Sequence, residues 1–244
     1  MRVRILHFYP DLMNLYGSYA NLAVLRRYLE GLGCGVEIVP VDPGAPAALA
    51  QADFLYMGAG TERRAEAAAA DFRRFAGDLK DAAGDGTAML FAGTAMELLG
   101  KSVTTVDGRT YDGAGLAEFT SEEGKIRRVG DVYGHTSLYP EAVVGFMNKC
   151  SVIRGVASPL LASVDMGWGN EGVRGAEGFH WKNVFASQLT GPLLVKNPRM
   201  LETVAAAVYA HRGQALPLER PRDDWAEKGY AVTEEQLRLR VQGN

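Results

Sequence analysis

The chain has 244 residues, 47% of them hydrophobic, with 26 Lys and Arg against 29 Asp and Glu and a formal net charge of −3. That length buries a sizeable core in one large domain or two small ones, the mixed charge excludes a basic nucleic-acid footprint, and no run approaches the roughly 20 apolar residues of a membrane span. Two cysteines and four scattered histidines provide neither a disulfide framework nor a zinc site, so no metal and no cofactor are expected.

The first half alternates strand and helix patterns. Residues 3–8 read as a strand that starts at once, without a signal-peptide layout, which points to a cytoplasmic protein. Ser18 is placed to N-cap a helix whose Leu22, Leu25, Leu29 and Leu32 recur at helical spacing. Gly33 and Gly35 end it, and strands are predicted over 36–41 and 54–57, the latter running into the turn Gly58-Ala59-Gly60. An alanine-rich helix over 62–83 and a strand ending at Ala92 follow. Alternation of this kind predicts an α/β fold, a mostly parallel sheet flanked by helices, with ligands beyond the carboxyl ends of the strands. The Gly58 and Gly93 turns then share one rim.

The second half is β-rich. Asp107-Gly108 between short β-prone runs signals a hairpin. Short strands are predicted near 127–133, 143–146 and 151–154, a glycine-rich loop over 167–178 and a helix over 198–211. Residues 1–212 read as one domain. Residues 213–244 read as a C-terminal helical extension with a last helix over 233–241, available for docking a partner.

Several motifs fail on inspection. Gly167-Trp168-Gly169-Asn170-Glu171-Gly172 fits G-x-G-x-x-G, yet no helical pattern follows to receive a pyrophosphate. His180, between Phe179 and Trp181, reads as a packed histidine, and Cys34, after a helix end, as a structural one. Asp11 and Asn14 could line the rim, though both are ordinary turn formers.

The stretch from Thr87 to Lys101 reads as a strand, a tight turn and a helix start. Such a turn exposes one side chain beside free backbone N–H groups and holds the nucleophile of many acyl-transfer enzymes. Its turn residue here is Gly93, which has no side chain to attack with. A glycine chosen for turn geometry is the plain alternative.

His7-Phe8-Tyr9-Pro10-Asp11-Leu12-Met13-Asn14-Leu15-Tyr16-Gly17, the Gly58 turn, Leu99-Gly100-Lys101, Gly145-Phe146-Met147-Asn148, Gly178-Phe179-His180-Trp181-Lys182-Asn183 and Leu189-Thr190-Gly191-Pro192 carry a family resemblance over about residues 3–212. In this order they resemble the GatD-like glutamine amidotransferase subunits of lipid II isoglutaminyl synthase, in the CobB/CobQ-like branch of class I amidotransferases. The resemblance implies a subunit that takes ammonia from glutamine and passes it to MurT, an ATP-using Mur-ligase-like partner that amidates the peptidoglycan precursor. That chemistry needs a cysteine thiolate, a histidine base and an oxyanion hole of backbone amides.

Both reacting side chains are missing. The family's cysteine falls on Gly93 and its histidine on Thr190, whose hydroxyl is no base near neutral pH. The supporting parts are kept by resemblance: Gly58, Gly60 and the Thr94 N–H at oxyanion-hole positions, and Arg127 as a clamp for the glutamine carboxylate. A turn-forming role for the glycines and a solvated strand face for Arg127 are the alternatives. Cys150 is the one candidate for a relocated nucleophile, its pKa expected to fall beside Lys149.

Three readings follow. The first is a catalytically inactive subunit forming a heterodimer with a MurT-like Mur ligase. The second is a glutaminase using Cys150. The third is a module that binds glutamine or a related small amino acid without turnover. The joint loss of nucleophile and base favours the first.

Overall fold

The computed structural model describes residues 1–243. It begins β1 (Arg2–Phe8), α1 (Ala20–Gly31), β2 (Gly35–Val41), β3 (Phe54–Met57), α2 (Glu62–Phe72), α3 (Ala76–Gly84) and β4 (Ala88–Ala92). A 3-10 helix over Gly93–Leu99 then leads to β5 (Ser102–Thr104), β6 (Thr110–Asp112), β7 (Thr120–His135), β8 (Ala142–Arg154) and β9 (Ser163–Met166). The chain ends with β10 (Phe179–Trp181), β11 (Val184–Ser187), β12 (Leu189–Thr190), α4 (Leu193–Lys196), α5 (Pro198–His211) and α6 (Asp224–Gln242).

The first sheet has the order β10-β11-β4-β3-β1-β2. All its pairings are parallel except β10 on β11. β3 and β4 are buried along their whole length, the continuous apolar pattern of strands covered on both faces. Ile5, Phe54 and Leu90 pack under Leu25 of α1 and Val204 of α5. Leu6, Leu55 and Phe91 face Ala68 and Phe72 of α2 and Leu79 of α3. Each fully buried Leu or Phe contributes about 1.5–3 kcal/mol.

The second sheet, β12-β8-β7-β5-β6 with β9 paired to β7, is largely antiparallel. Its short strand β12 runs directly out of the turn after β11, so Thr190 arrives at the rim where β3 and β4 end.

The structure departs from the expectations at several places. Ser18 does not cap α1; its hydroxyl is buried, 2.9 Å from the Tyr56 hydroxyl, and accepts the Ala59 N–H at 3.1 Å. The alanine-rich helix is two helices joined by a 3-10 turn over Arg73–Phe75, which lets Phe72 and Phe75 both reach Phe8. The separate short strands are parts of β7 and β8, a long pair with a register shift between Glu123 and Arg128. Glycines at 124, 130, 134 and 145 hide those strands, since their patterning is lost wherever a side chain is absent. The last helix starts at Asp224, because Asp223 accepts the N–H groups of Trp225 and Ala226. Gly229 weakens the helical pattern there.

Candidate active site

Gly93 follows β4 with φ of +62°, in the left-handed region that costs a side-chain-bearing residue about 1–2 kcal/mol. The turn after β4 therefore has left-handed geometry, and its residue carries no side chain. An ideal Cβ on Gly93 would lie 2.6 Å from Ala59 Cβ and 3.3 Å from Thr190 Cγ2. The Ala59 methyl takes that place, and the Thr190 methyl stands in tight contact beside it. The Thr190 hydroxyl points elsewhere, donating to the Phe146 carbonyl at 3.2 Å.

The Gly58-Ala59-Gly60 turn needs its glycines for close approach. A Cβ on Gly58 would stand 2.5 Å from the Met13 carbonyl oxygen, and one on Gly60 2.6 Å from Met13 Sδ. The turn's donors are engaged within the protein. Ala59 N–H donates to Ser18 Oγ, and Gly60 N–H donates to Thr94 Oγ1 at 2.9 Å. The Thr94 hydroxyl donates back to the Gly60 carbonyl at 3.1 Å. A side-chain hydroxyl thus occupies the Gly60 amide that the resemblance assigns to an oxyanion.

Arg127 lies on the exposed side of β7. It donates to Glu62 Oε1 at 2.6 Å and to Asn148 Oδ1 at 3.0 Å. Glu62 opens α2, and its Oε1 also accepts from Cys150 Sγ at 3.3 Å. Burial pushes the Glu62 carboxyl up, but its own backbone N–H, Arg127 and the Cys150 thiol outweigh this and leave it below the usual range. Burial first, then the Glu62 charge, push the Cys150 thiol up to about 12.

The expectation that Lys149 activates Cys150 is therefore corrected. Neighbours in a strand point to opposite faces, and Lys149 turns inward. Its ammonium donates to the Gly169 carbonyl at 2.9 Å, to the Asn170 carbonyl at 3.3 Å and to Gln188 Oε1. Burial lowers its pKa to about 8.

Behind the rim lies a buried polar network that the sequence reading missed. Ser151 Oγ donates to Glu97 Oε1 at 2.6 Å, and Gln188 Nε2 donates to Ser151 Oγ at 3.1 Å. The Gln188 N–H donates to Glu177 Oε1 at 2.7 Å, and Ser187 Oγ to Glu177 Oε2 at 2.9 Å. Burial raises Glu97 to about 7 and raises Glu177 as well. A lone glutamate inside the apolar run Met96-Glu97-Leu98-Leu99 was the signal available.

The cavity between Tyr16, Gly93, Glu97, Gln188 and Thr190 has a volume of about 10 Å³. That is room for about one water molecule and not for a glutamine side chain.

The remaining candidates have ordinary roles. His180 stacks at 5.0 Å on Phe185, and burial lowers its pKa. Cys34 is buried 3.2 Å from the Tyr209 hydroxyl. Asn14 accepts the Tyr19 N–H at 2.9 Å as a turn residue. The segment 167–172 lies in a loop before β10, and no helix opens after it.

Comparison with known proteins agrees with this architecture. Residues 4–198 match the model of the CobB/CobQ-like glutamine amidotransferase domain. The chain is 27% identical over 215 residues to the lipid II isoglutaminyl synthase (glutamine-hydrolyzing) subunit GatD of Staphylococcus aureus (strain N315), covering 88% of this chain and 87% of that one. It is also 27% identical over 227 residues to the GatD subunit of Streptococcus pneumoniae (strain ATCC BAA-255 / R6), covering 91% and 86%. Among solved structures, a glutamine amidotransferase superposes with a TM-score of 0.54 at 13% identity, over 83% of this chain and 98% of that one. A glutamine amidotransferase from Thermotoga maritima superposes with a TM-score of 0.50 at 10% identity, over 97% and 95%. The chain belongs to the CobB/CobQ-like glutamine amidotransferase family.

Proposed function

We propose that this chain is the amidotransferase-type subunit of a lipid II-amidating synthase and does not itself hydrolyse glutamine. The kinship to GatD subunits supports the setting, which is cytoplasmic, with an ATP-using MurT-like Mur ligase as the second subunit of a heterodimer. One observation carries the inactivity: Ala59 Cβ occupies the space of a side chain at position 93, with Thr190 Cγ2 in tight contact beside it. No thiolate stands at the turn, no imidazole stands beside it, and the Gly60 amide is taken by Thr94.

A relocated nucleophile is disfavoured by the chemistry of Cys150. Its thiol donates to a carboxylate and titrates near 12, whereas nucleophilic cysteines have depressed values. Glutamine sensing is disfavoured by the cavity of about 10 Å³ and by the engagement of Arg127 with Glu62.

The test is ammonia release from glutamine by the purified chain, alone and with a MurT-like ligase, beside a relative that retains Cys and His. We expect background release in both arms and co-purification with the ligase. Turnover above background that vanishes in Cys150→Ala overturns the reading in favour of a relocated nucleophile.

A further inference from the structure

α6 is held to the second sheet along one side. Leu237 is buried with Tyr133, Ala142 and Val144, and Tyr230 and Val241 pack against the same cluster. The Tyr230 hydroxyl donates to the Ala142 carbonyl at 2.8 Å, and the Tyr133 hydroxyl donates to Glu234 at 2.9 Å. The opposite side carries Trp225, Val232 and Leu239, which are 83%, 62% and 50% exposed.

These three residues recur every seventh position. Seven residues make about two helical turns, so they form one stripe about 21 Å long. Scattered exposed apolar residues need no explanation, but a straight row led by a bare indole does.

The charges beside the stripe show what it fits. On one edge Asp224 and Lys228 precede Val232, and Glu235 and Arg238 follow it. The other edge offers Gly229 and Gln236, both uncharged, with Arg240 farther round and paired to Asp131 at 3.0 Å, and Gly229 leaves space for a second backbone. A second α6 turned by 180° about an axis through Val232 places each Val232 on the other and each Trp225 on a Leu239. The same rotation places Lys228 beside Glu235 and Asp224 beside Arg238, and the symmetry makes each pair twice. A parallel arrangement instead sets this charged edge against the uncharged Gly229 and Gln236 of the other copy and makes neither pair. Lys228 now lies over the Trp225 ring at 5.4 Å, and Arg238 is 3.5 Å from Glu234 on its own helix. Both are exposed on the edge that the copy approaches.

We propose that α6 is a self-association surface, on which two copies of this chain pair their C-terminal helices antiparallel about Val232. The occupant is a second copy because the helix matches itself in apolar register and, about that axis, in charge as well. Such an isologous contact closes on itself and stops at a dimer. It leaves the rim around Gly93 untouched, so it stands or falls apart from the reading of that site.

The full-length chain is to be followed by sedimentation equilibrium from about 1 μM to about 200 μM, the range suited to a small helix-pair contact. We expect a concentration-dependent dimer that Val232→Asp abolishes, with the circular dichroism of the monomer unchanged because Val232 is exposed. Lys228→Glu and Glu235→Lys each weaken the dimer about tenfold, and the two together restore it. Val232→Cys forms an intermolecular disulfide under mild oxidation. A monomer at every concentration overturns the proposal, as does a dimer indifferent to Val232→Asp or a charge reversal that the second reversal fails to rescue.

Discussion

The methyl of Ala59 stands 2.6 Å from where the first side-chain atom of residue 93 would be. Position 93 is therefore not merely without a side chain. Its neighbours have closed over the vacancy, from β3 by way of Ala59 and from β12 by way of Thr190.

A side chain at position 93 must then displace its neighbours. We expect Gly93→Ala to destabilise the protein by about 2–4 kcal/mol, combining left-handed strain with overpacking. Ala59→Gly in the same chain should return about 1–2 kcal/mol of that, a coupling read from a double-mutant cycle in urea. Additive losses would refute the contact.

The same geometry bears on restoring activity. Gly93→Cys with Thr190→His supplies both reacting groups into a space that Ala59 and Thr94 still close. We expect that double variant to release no ammonia above background, and its new thiol to resist alkylation. Adding Ala59→Gly should expose the thiol to iodoacetamide. Full glutaminase activity of the double variant alone would show that the rim opens freely.

Thr94 holds Gly60 through a hydroxyl that both donates and accepts. Thr94→Val keeps the shape and leaves the Gly60 N–H without that partner, which costs about 1–3 kcal/mol. Thr94→Ser should cost less. Equal losses for the two variants would assign the effect to packing.

His7, on β1, is buried, its Nε2 has no hydrogen-bond partner, and burial lowers its pKa from 6.5 to about 4. The unfolded chain binds the proton more tightly between those values. The contribution of neutral His7 is therefore complete above about pH 6.5 and is lost as pH falls toward 4, a change of about 3 kcal/mol. In His7→Phe that part of the acid-side slope should disappear from stability measured against pH.

Cys150 should behave as an inert thiol. With its pKa near 12, reaction with a disulfide reagent at neutral pH should be at least about a hundredfold slower than for a free cysteine. Glu62→Gln removes the carboxylate that holds the proton, and the rate should rise about tenfold. Mass spectrometry separates this labelling from that of Cys34.

Strands β1 to β4 of the first sheet were legible because they are short, apolar and mostly flanked by glycines, whereas β10 and β11 were not legible as strands. The run 54–57 is a strand buried on both faces whichever helix covers it. The β7–β8 pair was less legible, since its length depends on cross-strand pairing that glycines conceal in the pattern. Ser18 looked like a helix cap from its place before an apolar periodicity. Only Tyr56, thirty-eight residues away, shows that its hydroxyl is used across the sheet.

By itself, the sequence determined the alternating α/β order, the family resemblance and the absence of a thiol and an imidazole at positions 93 and 190, because each depends on residue identity or local periodicity. Tertiary structure alone decided that Ala59 and Thr190 fill the vacancy, that Thr94 takes the Gly60 amide, and that Lys149 turns away from Cys150. It likewise joined Glu97, Ser151 and Gln188 into one buried network. Those are contacts between elements distant in the chain, and such contacts exist only after the two sheets have packed together.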